Sequence, residues 1–254
     1  VSTVKQTVFI TGASSGIGQS TAKLLARHNF RLIICGRRED RLQKLQEELS
    51  QLTELHVLAF DVRDEAAVKN AINSLPENWK EIDILVNNAG NAHGLDPIQS
   101  GSIADWDAMI DINVKGLLYV SHAIIPGMTE RKRGHIVNIG SIAGKEVYPN
   151  GNVYCASKHA VDALTKGMRF DLNTYGIKVT AINPGLVETE FSMVRFKGDE
   201  ERASNVYKGY KALEASDIAD IILFTITRPP HVQMADITVL PTAQASSTIV
   251  KKDL

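Results

Sequence analysis

Tyr154 and Lys158 occupy positions i and i+4 of the segment Tyr154-Cys155-Ala156-Ser157-Lys158, with Ser141 upstream. On a helix that spacing puts both side chains on one face. A phenol with a pKa of about 10 is a poor base at neutral pH, but a neighbouring ammonium favours its ionised form. Such a tyrosine can exchange a proton with a substrate oxygen while hydride moves to or from a nicotinamide. Ser141 can donate a hydrogen bond to that oxygen and steady its developing charge, and Lys158 can reach the nicotinamide ribose. A tyrosine and a lysine at this spacing also occur as an ordinary surface pair, so the chemistry needs a second signal.

That signal lies near the N-terminus, in Thr11-Gly12-Ala13-Ser14-Ser15-Gly16-Ile17-Gly18. Gly12 permits a turn off a strand, Gly16 lets backbone approach a diphosphate, and Gly18 lets the next helix pack closely. The helix N-terminus then offers unpaired N–H groups to phosphate. A plain tight turn is the alternative, but the position between a strand and a helix favours a dinucleotide site. The second strand ends in Cys35-Gly36-Arg37-Arg38, with no carboxylate before the arginines. Paired guanidiniums suit a 2′-phosphate, and hence NADP rather than NAD; two solvated charges opening a helix are the competing reading. Asp61-Val62, after the third strand, can accept from an adenine amino group, or Asp61 can cap a helix. In Asn87-Asn88-Ala89-Gly90 the small residues leave room for the adenine ribose, while the asparagines can tie strands together.

These residues need a scaffold that brings them to one edge. Strand-like runs at Thr7–Thr11, Arg31–Gly36, Leu55–Asp61, Ile82–Asn88, His135–Ser141, Lys178–Asn183 and Ala235–Leu240 alternate with helical spacing. The helical segments are Gly16–His28, Arg38–Ser50, Glu65–Leu75, Ala104–Glu130, Asn152–Tyr175 and Asp217–Thr227. The alternation predicts an α/β fold: one open, seven-stranded parallel sheet with helices on both faces, hence three layers. Gly176 reads as a helix C-cap and Ser216 as an N-cap. Residues 1–254 read as a single domain, with 188–214 unassigned and rich in charge.

Composition narrows the partners. Lys and Arg number 28 against 29 Asp and Glu, a net charge of −1, which removes the electrostatic case for nucleic acid or an anionic membrane. No run of apolar residues approaches the ~18 of a membrane span. With no leader read at the N-terminus, a cytoplasmic chain is expected. Cys35 and Cys155 are too few for a disulfide framework or zinc cluster, so no metal is expected; Cys35 reads as packing. The terminal Lys251-Lys252-Asp253-Leu254 reads as a frayed tail.

Taken together, the glycine loop, Asn87-Asn88-Ala89-Gly90, Asn113, Ser141, Tyr154, Lys158 and Pro184-Gly185 resemble the short-chain dehydrogenase/reductase family, in order and over nearly the whole chain. The resemblance implies a Rossmann-type fold, with Tyr154 as catalytic acid/base, Lys158 as its pKa-lowering partner and Ser141 as substrate orienter. It further implies a water-mediated proton relay from Asn113 to Lys158. Pro184, Gly185 and Val187 would border the nicotinamide, with Thr189 near its carboxamide. Trp106 to Ile110, Gly151-Asn152-Val153-Tyr154 and Phe191 to Asp199 are similar to NADP-dependent 3-hydroxy acid dehydrogenases, a subgroup of tetramers that includes enzymes oxidising serine and allo-threonine. The tetramer interface is expected on the two longest helices.

A 3-hydroxy acid needs a carboxylate partner. Arg195, in a lid expected at 188–214, can grip one bidentately; a solvated lid surface or an ion pair with Asp199, Glu200 or Glu201 is the alternative. Lys197, in the same lid, is a second candidate for the carboxylate, and Lys145 and Glu146 are alternative cleft-wall residues. The sequence thus predicts an NADP-dependent oxidoreductase acting on the 3-hydroxyl of small hydroxy acids of the serine, allo-threonine or 3-hydroxypropionate type. Its rivals are a reductase of other carbonyls (3-oxoacyl thioesters, aldehydes or ketones) and a non-catalytic NADP-binding regulator.

Overall fold

Strands β1 (Thr7–Ile10), β2 (Arg31–Gly36), β3 (Leu55–Ala59), β4 (Ile84–Asn87), β5 (Gly134–Ile139), β6 (Ile177–Pro184) and β9 (Asp236–Val239) form one sheet in the computed structural model, which describes residues 5–253. The order is β3-β2-β1-β4-β5-β6-β9, and every pair is parallel. Successive side chains of a strand point to opposite faces. Val8 and Ile10 therefore enter one apolar layer with Leu32 and Ile34, while Phe9 enters the other with Ile33 and Leu85. Both layers are covered, which is why the inner strands are apolar almost throughout.

Helices α1 (Gly16–Ala26), α2 (Glu39–Leu49) and α9 (Ala215–Ile226) cover the first face, through Leu25, Leu42 and Ile222. Helices α3 (Glu65–Asn73), α5 (Leu117–Arg131) and α6 (Asn152–Leu172) cover the second, through Val68, Val120, Met128 and Leu172. The seven parallel strands and the three layers are as the sequence predicts.

Four local expectations are corrected. The single helix expected over Ala104–Glu130 is α4 (Ile103–Ile110) and α5 joined by a π-helical segment, Asp111–Gly116. Apolar periodicity runs through all three pieces and hides the change of pitch. The whole stretch, Ile103–Arg131, has a window of mean hydropathy 1.3 and is long and apolar enough to cross a membrane. A search for uninterrupted apolar runs misses it, because small and uncharged polar residues such as Gly116 and Ser121 break the run without adding charge. In this fold it packs against α3 and α6. At α9 the N-cap is Glu214, not Ser216: a reciprocal capping box joins Glu214 and Asp217, because the extended backbone continues to Glu214. Gly176 does close its helix in the left-handed region, at φ 68°.

The fourth correction is the tail. Lys251 N donates to Ala243 O (2.8 Å) and Asp253 N to Gly209 O (2.7 Å), so residues 251–253 are pinned rather than frayed; Leu254 lies outside the described residues. The unassigned stretch 188–214 is likewise ordered. Short strands β7 (Val187–Glu188) and β8 (Leu213–Glu214) pair in parallel and close a loop holding α7 (Phe191–Arg195) and α8 (Glu200–Asn205).

A buried amide network joins the strand ends nearest the cleft. Asn87 Nδ2 donates to Asn138 Oδ1 and to Ser121 Oγ, and Asn138 Nδ2 donates to Thr165 Oγ1, all at 2.9 Å. Asn138→Ala removes its share of these bonds and leaves buried partners unpaired, an expected loss of about 1–3 kcal/mol. Urea titration should show a lower midpoint with an unchanged slope; a loss under roughly 0.5 kcal/mol, the scale of a neutral surface change, would show that the amide does not hold the strands.

Candidate active site

The carboxyl ends of the strands open onto one cleft of about 510 Å³. It lies where successive strands leave β1 in opposite directions, the position that favours ligands in open parallel sheets. Gly12 and Gly16 hold left-handed backbone at φ 67° and 54°. A Cβ on Gly12 would lie 2.9 Å from Ala89 Cα, and one on Gly18 would meet Gly12 O and Asn88 Nδ2 at 2.5 Å. Asn88 Nδ2 donates to the carbonyls of Thr11 (2.9 Å) and Gly12 (3.3 Å), while Thr11 Oγ1 accepts from the backbone N of Asn88 and Ala89. The glycine loop is thereby bolted to the end of β4. Ser14, Ser15, Gly16 and Ile17 line the cleft; Gly18 lies beneath it.

Ser15 is the N-cap of α1, yet its side chain makes no capping bond. Its hydroxyl instead accepts from Arg38 Nη2 at 2.6 Å, and Ser14 Oγ accepts from Arg38 Nε and Nη2 at 3.2 and 3.1 Å. The helix N–H groups are left for an anion. Arg37 lies further out, 3.7 Å from Asp61 Oδ2. Asp61 sits past the end of β3, where its carboxylate takes the Arg63 guanidinium at 2.6–3.1 Å. Capping of α3 falls to Asp64. Val62, Asn88, Ala89 and Gly90 complete this wall.

Ser141 follows β5 and caps the turn Ile142–Gly144, its oxygen accepting from Ala143 N at 3.0 Å. Its proton therefore remains free to donate. Tyr154 and Lys158 both line the cleft from α6 and are both buried. Burial pushes the Tyr154 phenol up and Tyr148 adds to this, while the Ser141 hydroxyl and the Arg195 guanidinium pull the other way. Lys158 donates its Nζ to Ile139 O at 3.0 Å. Burial drives its own pKa down to about 8. The cation set over the phenol is Arg195, whose Cζ lies 5.5 Å from the Tyr154 ring centroid.

Asn113 sits in the π segment. Its Oδ1 accepts from Asn91 N, and its Nδ2 donates to Asn91 O and to Ser157 Oγ, at 2.9–3.0 Å. It makes no direct bond to Lys158 among the described residues, but a Cβ added at Gly90 would lie 2.9 Å from Asn113 Oδ1 and 3.7 Å from Lys158 Nζ. Pro184, Gly185, Val187 and Thr189 line the cleft between β6 and α7.

Arg195 enters the cleft rather than pairing with Asp199, Glu200 or Glu201. Its Nη2 donates to Tyr148 Oη (3.0 Å) and its Nε to Gly94 O (3.2 Å). Lys197 turns away to Asp105 at 2.9 Å. Lys145 binds Asp162 and Asp236, and Glu146 accepts from Ser247 N, so neither reaches the cleft wall. Tyr148, Glu190 and Phe191, given no individual role in the sequence analysis, do reach it, as do Gln244 and Ser247, which lie outside every segment named there. Phe191 packs edge-on to Tyr154 at 5.7 Å between centroids. Gln244 Oε1 accepts from Leu186 N at 2.9 Å. Gln244 and Ser247 come from the last strand's outlet, far from any motif, and carry no sequence signal of their role.

A family model described as short chain dehydrogenase matches residues 6–200. The chain belongs to that family. Within it, this short chain dehydrogenase is 46% identical over 241 residues to sulfoacetaldehyde reductase 2 of Chromohalobacter salexigens, covering 94% of this chain and 96% of the relative. It is 44% identical over 239 residues to the NADP-dependent 3-hydroxy acid dehydrogenase YdfG of Salmonella typhi, with the same coverages. The closed form of a serine dehydrogenase complexed with NADP⁺ superposes with a TM-score of 0.93 at 41% identity, covering 98% of this chain and 100% of that one. The chain is an oxidoreductase of the family that acts on CH–OH groups.

The lowered pKa of Lys158 has a consequence for stability. Between about pH 8 and the ordinary value of 10.5 the unfolded chain holds this proton and the folded chain does not, so stability from this group rises with pH. Relative to Lys158→Met, the wild type should gain unfolding free energy across that window, read from urea midpoints at several pH values. A constant difference between the two proteins would mean that Lys158 titrates normally.

Proposed function

We propose that this dehydrogenase uses NADP to interconvert a hydroxyl and a carbonyl on short substrates that carry an anionic group, with 3-hydroxy acids of the serine, allo-threonine and 3-hydroxypropionate type as the first class. The cofactor is NADP: the glycine cradle, the open N-terminus of α1 and the Ser14–Arg38 pair fit a diphosphate and a 2′-phosphate. When bound, NADP accepts or supplies the hydride.

The chain's own residues do the rest. Tyr154 as phenolate takes the hydroxyl proton in oxidation, and as phenol donates it to the carbonyl oxygen in reduction. Ser141 donates to the reacting oxygen. Lys158 holds the ribose side of the cleft, and Asn113 anchors Asn91 and carries a water-mediated proton relay toward Lys158.

The observation that carries the substrate class is Arg195. No carboxylate pairs with it among the described residues, and two of its nitrogens are fixed by Gly94 and Tyr148. A fixed guanidinium beside the Tyr154 ring holds an anion and sets the distance to the reacting carbon. A sulfonate offers the same charge in a similar size, so short sulfonated aldehydes are the second reading, which the relative named sulfoacetaldehyde reductase supports. The loop 188–214 that carries Arg195 acts as a lid, held to the body by Gly94 N donating to Arg195 O (2.9 Å) and by the Lys197–Asp105 pair. We further propose a homotetramer through the outer faces of α4–α5 and α6, where Ile103 and Phe170 are 62% and 81% exposed in the single chain.

Absorbance at 340 nm with NADP and NAD should show faster turnover of 3-hydroxypropionate, L-serine, L-allo-threonine or hydroxyethanesulfonate with NADP than of a neutral secondary alcohol. Tyr154→Phe should lose roughly 10²–10⁴-fold in rate while keeping its NADPH affinity. Arg195→Ala should raise KM for the anionic substrates roughly ten- to hundred-fold while KM for the neutral alcohol holds; an unchanged KM for the anionic substrates would sink the anion clamp. Light scattering of Phe170→Glu should report a smaller particle than the wild type, and an unchanged mass would place the interface elsewhere.

A further inference from the structure

Glu190 follows Thr189 at the root of the lid and stands at the N-cap position of the short helix α7, with no capping bond from its side chain. Its carboxylate is fully engaged on α2, on the far side of the glycine loop. Oε2 accepts from Arg38 Nη1 and from Arg41 Nη1, both at 2.9 Å, and Oε1 accepts from Arg41 Nη1 at 2.7 Å. Arg38 spends its other edge on the hydroxyls of Ser14 and Ser15. A continuous chain of charged hydrogen bonds thus runs from the lid, through Arg38, to the loop that cradles the diphosphate. The Thr189 side chain sits 3.5 Å from where a Cβ on Gly16 would stand, so the lid's root lies directly over that loop. At its other end α7 carries Arg195, fixed to Gly94 and Tyr148.

We infer that Glu190 is a positioning residue: with Arg38 and Arg41 it straps α7 across the mouth of the dinucleotide cleft, slowing cofactor release and holding Arg195 at the substrate. This rests on reading the cleft as the NADP site. The strap is a network rather than an isolated pair, since one carboxylate takes two guanidiniums from another element. The side chains are 39–45% exposed, so its strength is modest and screened by salt. The two arginines hold the Glu190 carboxyl below the usual carboxylate range, Arg38 most of all.

The alternative role for Glu190 is competition, a carboxylate occupying Arg38 against the 2′-phosphate. The two roles predict opposite effects. Stopped-flow fluorescence would follow release of NADPH and of NADH, which lacks the 2′-phosphate, from the wild type, Glu190→Gln, Arg41→Gln and the double variant. The strap predicts release of both nucleotides about three-fold faster from Glu190→Gln, the scale of an exposed ion-pair network, and a smaller increase from Arg41→Gln, which leaves the Arg38 bond. The double variant should be no faster than Glu190→Gln, which already frees both arginines, and Glu190→Asp should fall between Glu190→Gln and the wild type. KM for an anionic substrate should rise in Glu190→Gln while kcat holds or increases. Tighter NADPH binding with unchanged NADH release would overturn the strap in favour of competition, and so would additive single effects. Failure of the wild type to bind NADPH would remove the cofactor reading itself, and the strap with it.

Discussion

The bond that most of this site depends on is an amide without chemistry of its own. Asn88 Nδ2, given to the carbonyls of Thr11 and Gly12, fixes the glycine loop against the end of β4. Two backbone segments that would otherwise each need solvent are satisfied by one side chain and one threonine hydroxyl. The loop's left-handed glycines, the close seat of α1 and the position of Ala89 and Gly90 all follow from that bolt. The next layer repeats the device: Asn113 holds Asn91 as Asn88 holds Gly12, and Asn138 holds Asn87. These amides tie the cleft's floor together, while its mouth is lined by side chains of the lid.

Above that floor the electrostatics divide by depth. Lys158 and Tyr154 are buried, so desolvation opposes the charged form of each. Neither ionises easily alone, which keeps the proton-transfer pair sensitive to whatever enters the cleft. The Ser141 hydroxyl and then Arg195, which comes from the lid, work against that burial at the phenol, so part of its balance depends on a residue outside the core. The nearer rim is held by ion pairs joining segments far apart in sequence, Lys197 to Asp105 and Glu190 to Arg38 and Arg41. Rigid amides below and screened charges above give the cleft a fixed base and a responsive cover.

Legibility followed the same division. The seven parallel strands could be read because both-face burial leaves continuous apolar runs, and Gly12, Gly16 and Gly18 because left-handed backbone or close approach favours glycine at each. Tyr154 and Lys158 were visible as an i, i+4 pair. Arg195 was found by asking what could hold an acid, although neither its bonds to Gly94 and Tyr148 nor its place over the Tyr154 ring could be foreseen. Glu190, Gln244 and Ser247 escaped because their roles arise from contacts across the fold, and a carboxylate in a charged loop looks solvated until its partners are placed. The π segment escaped because apolar spacing at period 3.6 tolerates a local widening without breaking the pattern.

That segment also sets a limit on how this chain can change. An α-helix turns by about 100° per residue, so a π turn absorbs the equivalent of one inserted residue between α4 and α5. Deleting one residue from 111–116 would therefore restore regular pitch with both halves on their present faces, but deleting a second would swing α5 by about 100° relative to α4. Met128 and Val120 would leave their layer, or Trp106 and Met109 would leave the cleft side. The length of this stretch is therefore quantised: residues can be added or dropped only in steps that return both halves to the same face.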